Sequence, residues 1–217
     1  MSKKVGVLLS GCGVFDGAEI HESVLTLLFL DRAGAEAICM APDMDHQVVN
    51  HLTGEATKEK RNVLMESARI ARGKIRNLKE MKAKDMDALI LPGGFGAAKN
   101  LSDFAVKGPE ASVHPEVARI LREMTDAGKP VGAICIAPAT VAKALAAKKP
   151  EVTIGTDAGT AAGIEKTGAK HFNCTVDEIH TDLKNRIVTT PAYMLGPGIK
   201  DVAAGIEKLV SQILSMI

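Results

Sequence analysis

In the stretch Val131-Gly132-Ala133-Ile134-Cys135-Ile136-Ala137-Pro138 an apolar run leads to a cysteine and then to a proline. The proline suits the first turn of a helix, where its missing N–H is not needed. A nucleophile on a sharp strand-to-helix turn requires small residues two places before and two after it, because larger side chains would collide there. The Gly-x-Ser-x-Gly turn is the familiar version. Here those places hold Ala133 and Ala137. The N-terminus of the following helix would favour the Cys135 thiolate and lower its pKa. A second reading makes Cys135 a small buried core residue, as free cysteines often are. Local sequence leaves both open.

Two other places could serve such a nucleophile. In Pro92-Gly93-Gly94-Phe95-Gly96 the glycines are either plain turn residues or backbone positions whose N–H groups approach a reacting oxygen. Glu22 falls in register with Leu25 and Phe29 on one helical face, where a carboxyl group would have a raised pKa and need a partner. Because Val24 to Leu30 is apolar nearly all round, a surface position for Glu22 stays open as well. His21 lies about 100° round the helix from Glu22 and is not expected to pair with it. Cys12, closing the first strand, is a candidate resolving thiol.

Short apolar strands alternating with helical stretches predict an α/β fold with a parallel sheet covered on both faces. Val5 to Leu9 reads as the first strand. A helix follows with Asp16 as N-cap and Glu19 three residues on, running to about Ala33 and closed by Gly34. Glu36 to Met40 is a second strand. Residues 43 to 80 carry many charges and no clear strand, and are expected to hold one helix near Arg61 to Arg72. Ala88 to Leu91 and Val131 to Ile134 read as central strands, with a helix over Pro115 to Ala127 between them. Strand pieces near Val152 to Ile154, Phe172 to Ile179 and Arg186 to Thr189, a helix around Gly159 to Thr167 and a terminal helix over Lys200 to Met216 complete the reading. Ligands in such sheets bind outside the carboxyl ends of the strands. The loops at Ser10 to Gly17, Pro92 to Gly96 and Cys135 all fit that description. Without repeats or low-complexity linkers, residues 1–217 are expected to form one domain.

Charge and composition narrow the partners. Twenty-seven basic residues balance 26 acidic ones, and the chain has no Trp and one Tyr, so neither a basic stripe nor a stacking surface for nucleic acid is expected. No run approaches the roughly 18 apolar residues of a membrane span, and the first residues lack a signal-peptide pattern. The four cysteines (Cys12, Cys39, Cys135, Cys174) are scattered without ligand spacing. That predicts no metal site, reduced thiols and a cytoplasmic location.

Several segments together carry a resemblance: Ser10-Gly11-Cys12-Gly13-Val14-Phe15-Asp16-Gly17-Ala18-Glu19-Ile20-His21-Glu22, Asn50-His51-Leu52-Thr53-Gly54-Glu55, Pro92-Gly93-Gly94-Phe95-Gly96-Ala97-Ala98-Lys99-Asn100-Leu101, Cys135-Ile136-Ala137-Pro138 and Thr189-Thr190-Pro191-Ala192-Tyr193-Met194-Leu195. The chain resembles the PfpI-type branch of the class I glutamine-amidotransferase-like superfamily and, within it, the ElbB family. The resemblance implies a flavodoxin-like three-layer sandwich, usually dimeric, with a cysteine nucleophile elbow at Cys135 and Glu22 as the glutamate that hydrogen-bonds it. It puts Gly93 and Gly94 on the oxyanion side, with the N–H of Ile136 as a further donor. It implies a cofactor-free glyoxalase acting on small dicarbonyls such as glyoxal, and an older label ties the family to isoprenoid biosynthesis. The chain departs from PfpI-type peptidases in having Ile136 where they have His. It departs from the glutaminases in lacking a late His-x-Glu pair, and from the better glyoxalases in reading Gly155 where a histidine stands. A redox-sensing or binding protein using Cys135, and a non-catalytic accessory protein on the same fold, are the competing readings.

Overall fold

Alternate residues of the central strands face opposite ways, and both ways are apolar. In the strand Ala88–Leu91, Leu89 and Leu91 enter one core cluster while Ala88 and Ile90 enter another. A strand buried on both faces needs helices on both, and the connections supply them. In the computed structural model, which describes residues 2–217, the chain opens with β1 (Lys4–Leu8), α1 (Ile20–Arg32) and β2 (Glu36–Ala41). A hairpin, β3 (Asp45–Val49) and β4 (Ala56–Asn62), leads into α2 (Val63–Ile70) and the short β5 (Arg76–Asn77). Then come β6 (Ala88–Leu91), α3 (Phe95–Lys99), α4 (Phe104–Lys107), α5 (Pro115–Asp126), β7 (Val131–Ile134) and α6 (Ala137–Ala144). The chain closes with β8 (Glu151–Val152), α7 (Ala158–Glu165), β9 (Lys170–His171), β10 (His180–Asp182), β11 (Ile187–Thr190) and α8 (Ile199–Ser215).

Seven strands form the main sheet in the order β10-β11-β7-β6-β1-β2-β5. Every pairing is parallel except β10 with β11. One layer packs α1, α2 and α8 on the sheet through Leu25, Phe29, Leu30, Val63, Leu209 and Ile213. The other packs α3 to α7 through Ala97, Phe104, Ile120, Leu121, Val141 and Ile164. This is the flavodoxin-like three-layer sandwich expected from the sequence. The chain leaves β1 toward β2 on one side and returns to β6 on the other, so the strand order reverses between β1 and β6. A crevice opens at the carboxyl ends there.

Four local expectations are corrected. Residues 43 to 80 contain the β3–β4 hairpin as well as a helix; β4 reads Ala56-Thr57-Lys58-Glu59-Lys60-Arg61-Asn62 and lies mostly in solvent, so it shows no apolar alternation. Asp16 does not cap α1. Its carboxylate accepts the Val49 N–H of the hairpin at 2.8 Å, and Glu19 caps instead, accepting the Glu22 N–H at 2.7 Å. The strand expected over Val152 to Ile154 is reduced to β8, and of the residues from Phe172 to Ile179 none is in a strand.

Candidate active site

The turn between β7 and α6 holds Cys135 at φ 62°, a left-handed conformation that a side chain other than glycine seldom adopts. Ala133 and Ala137, both fully buried, leave room for it. The backbone is pinned by the Cys135 N–H, which donates to the Thr190 carbonyl of β11 at 3.0 Å. Such a turn is strained and persists because its surroundings over-determine it. It holds Cys135, 7% exposed as a residue, at the sheet's carboxyl edge.

Glu22 reaches the same point from the first turn of α1. It is fully buried, which resolves the ambiguity of its helix face. Its carboxyl accepts the Gly93 N–H at 2.9 Å and the Tyr193 N–H at 3.3 Å, and it is hydrogen-bonded to Cys135. Burial, reinforced by the charge of Glu19, pushes the Glu22 carboxyl up to about 8. A carboxyl group in that range is mostly protonated at neutral pH and can donate its proton toward the sulfur.

The Cys135 thiol is likewise pushed up, first by burial and then by Glu22, against backbone N–H groups of Gly94 and Ile136 that favour its charge. The expected lowering of the thiol pKa is therefore corrected. Two N–H groups and a short helix do not outweigh desolvation beside a carboxyl group. The pair holds its protons at rest.

The glycine loop is built for contact. A Cβ on Gly93 would lie 2.4 Å from the Cys135 Cβ and 2.7 Å from Glu22 Oε2. Gly94, at φ 87°, would bring one to 2.4 Å from the Glu19 backbone nitrogen. Gly93 directs its own N–H to Glu22, so the N–H groups beside the sulfur come from Gly94 and Ile136. Cys135, Glu22, Gly93, Gly94 and Ile136 thus converge. Cys12 does not join them. Its charged neighbours are Glu66, Arg69 and Asp16, and all four cysteines are free thiols.

Two residues of the site carry no functional role in the sequence reading, where Glu19 is only a helix-cap residue and Tyr193 only part of a matching segment. Glu19 lies within the cavity wall, one helical turn before Glu22, and that spacing was the available signal. Tyr193 donates its backbone N–H to Glu22 and makes a hydrogen bond between its hydroxyl and the His21 ring Nδ1 at 2.8 Å. None of the histidines lines the cavity among the described residues. At Gly155, φ 103°, an added Cβ would meet Leu195 at 2.8 Å, so this fold has no ready space for a histidine there. No cluster of three or more His, Cys, Asp or Glu side chains that could hold a metal ion occurs among the described residues.

The sulfur opens on a cavity of about 730 Å³. Cys135, Ile136, Gly94, Glu19 and Tyr193 form the reacting end, and residues of α4 and α7 form the far wall. A strained cysteine on an elbow, a buried protonated carboxyl group and two backbone donors are together equipped for covalent chemistry at a carbonyl carbon.

The chain belongs to the DJ-1/PfpI family, whose model matches residues 12–190. It is 48% identical over 98% of its length to the rat ES1 protein homolog, mitochondrial, covering 84% of that protein. The human glutamine amidotransferase-like class 1 domain-containing protein 3, mitochondrial, is also 48% identical, with 83% of it covered. An isoprenoid biosynthesis protein with amidotransferase-like domain from Ehrlichia chaffeensis superposes with a TM-score of 0.93 at 38% identity over 99% of both chains. Glyoxalase III of Candida albicans, at 17% identity and a TM-score of 0.65, over 99% of this chain and 97% of its own, shares the fold. The relatives named mitochondrial overturn the cytoplasmic expectation. Scattered free thiols call only for a reducing compartment and do not say which one.

Proposed function

We propose that this chain is an ElbB-type member of its family and a cofactor-free, glutathione-independent glyoxalase that uses Cys135 as nucleophile and Glu22 as proton carrier. The observation that supports this reading is the buried Glu22 carboxyl, raised to about 8 and hydrogen-bonded to Cys135. Near neutrality such a group is available in both protonation states, as a carrier that takes and returns a proton must be.

In the fraction of molecules that hold Glu22 as carboxylate, Cys135 Sγ attacks one aldehyde carbon of glyoxal; a C–S bond forms, and Glu22 takes the thiol proton and passes it to the carbonyl oxygen, giving a hemithioacetal and regaining its carboxylate form. The Gly94 and Ile136 N–H groups stabilise the developing oxyanion. Glu22, as carboxylate, removes the remaining proton from the attacked carbon and returns it to the neighbouring carbon, while the hydroxyl proton of the attacked carbon passes to the oxygen of that neighbour. The adduct is then a thioester of glycolate. Water cleaves it to glycolate and a proton and restores the thiol, so that glyoxal plus water is the whole input. Gly93 and Tyr193 hold the carboxyl group in place. Two copies associating as a homodimer belong to the same proposal.

Glycolate formation from glyoxal, followed by NMR, tests it. Cys135→Ala abolishes the activity, and Glu22→Gln lowers it by about a hundredfold or more, the usual scale of a proton-transfer group. An undiminished rate in Cys135→Ala would sink the reading.

The cysteine also bears on the competing redox reading. Peroxide attacks thiolates, and a thiol raised by burial reacts slowly. Attack on a carbonyl meets the same barrier but is assisted by Glu22, which takes the thiol proton as the C–S bond forms.

A further inference from the structure

The cavity is far larger than glyoxal. At about 30 Å³ per water molecule, 730 Å³ would hold roughly two dozen waters, and a molecule of four heavy atoms would leave most of it wet. The wall away from Cys135 is apolar, with Phe104 and Pro109 on one side and the Gly159, Ala162 and Gly163 face of α7 on the other.

The two glycines are informative. Neither has a positive φ, and a Cβ on Gly159 would meet only Asp157 Oδ1, at 3.6 Å, while one on Gly163 would meet only the Phe104 ring, at 3.4 Å. Gly163 is therefore required neither by backbone conformation nor by close packing, although glycine inside a helix weakens it relative to alanine. Its lack of a side chain keeps the cavity open. Lys166, one turn further along the same face, is exposed on the cavity wall, and its ammonium pairs with no carboxylate among the described residues. The acid of the wall, Glu19, sits at the opposite, reacting end.

We infer that the substrate is a 2-oxoaldehyde with an apolar body and an anionic end, lying along α7 with its aldehyde at Cys135 and its anion at Lys166. This inference rests on the glyoxalase reading for its reaction and on the cavity for its selectivity. The charge order follows from repulsion: an anion is driven from Glu19 toward the free lysine. Each methylene removed from water into the wall contributes about fourfold in binding, so glyoxal forgoes most of the available affinity.

The test compares kcat/KM for glyoxal and phenylglyoxal in the wild type, Gly163→Leu and Gly159→Leu, with circular dichroism to check folding; the second variant serves if the first does not fold. The wild type prefers phenylglyoxal by about tenfold or more, and filling the cavity lowers that ratio by about tenfold. Equal efficiency on both aldehydes, with a ratio unmoved by either variant, overturns the inference. A binding arm needs no turnover: hexanoate and hexanol are titrated calorimetrically into Cys135→Ala protein with and without Lys166→Met. Hexanoate binds several-fold more tightly than hexanol, and Lys166→Met removes the difference; equal binding throughout overturns the anionic end. Hexanoate binding without turnover of either aldehyde would remove the reaction and leave the ligand class standing, whereas neither binding nor turnover would remove both.

Discussion

Glu22 and Cys135 each resist charge because both are buried, and the two side chains are hydrogen-bonded to each other. One consequence is measurable without any substrate. The Glu22 carboxyl titrates near 4.5 when unfolded and at about 8 in the native protein. Between those values the native state binds the extra proton, so the Glu22 contribution to stability falls as pH rises through the window and is flat beyond it. Cys135, also shifted upward, loses stability only toward the alkaline end, where the unfolded thiol ionises first, and so does not oppose the trend. The melting temperature of the wild type, measured from about pH 5 to about pH 9, drops relative to that of Glu22→Gln, by an amount equivalent to a few kcal/mol. Parallel melting profiles for the two proteins would show that the carboxyl group is not perturbed. The same group gives kcat/KM for glyoxal an inflection near pH 8, absent from the residual activity of Glu22→Gln.

At the scale of elements, the site depends on three backbones meeting without side chains between them. Gly93→Ala would drive a methyl group between Cys135 and Glu22, parting the pair. We expect glycolate formation to fall by about a hundredfold while the circular dichroism spectrum stays native. Gly94→Ala meets backbone atoms at 2.4 and 2.5 Å and a positive φ besides, so it should destabilise the whole fold by about 2–3 kcal/mol in denaturant titration. The hairpin β3–β4 is tied to the loop after β1 through the buried Asp16. Asp16→Ala leaves the Val49 N–H without its partner and costs about 1–2 kcal/mol. Hydrogen exchange should quicken in β3 and β4 and stay slow in β6 and β7.

Across the whole molecule, the strand-order reversal between β1 and β6 explains why the reacting residues come from distant parts of the chain. The loop after β6 supplies Gly93 and Gly94, the end of β7 supplies Cys135, and the connection between β1 and β2 supplies Glu22 on α1. The outer face of α1 carries Ile20, Val24 and Leu28 at one-turn spacing, 43%, 50% and 38% exposed. For the homodimer proposed above this stripe is the surface to test. Sedimentation should show a species of twice the 22.8 kDa chain, and Val24→Glu should return it to one chain by burying a charge in an apolar contact. A wild-type protein that sediments as a single chain would remove the dimer from the proposal.

Local pattern by itself determined the frame of this protein. The apolar runs at Val5, Ala88 and Val131 are central strands because their length and apolarity suit burial on both faces, and Ala133, Ala137 and Pro138 announce the elbow because its sterics are local. The β3–β4 hairpin escaped this reading, since its strands face solvent and lack an apolar period. Only the tertiary structure decided the chemistry of the site. Whether Glu22 faces core or solvent, whether Asp16 or Glu19 caps α1, and whether the Cys135 thiol is lowered by a helix or raised by burial all depend on what packs against each group. Those neighbours lie up to 171 residues away, as Tyr193 does from Glu22. Desolvation and hydrogen bonding are properties of such surroundings, and they exist only once the chain has closed around them.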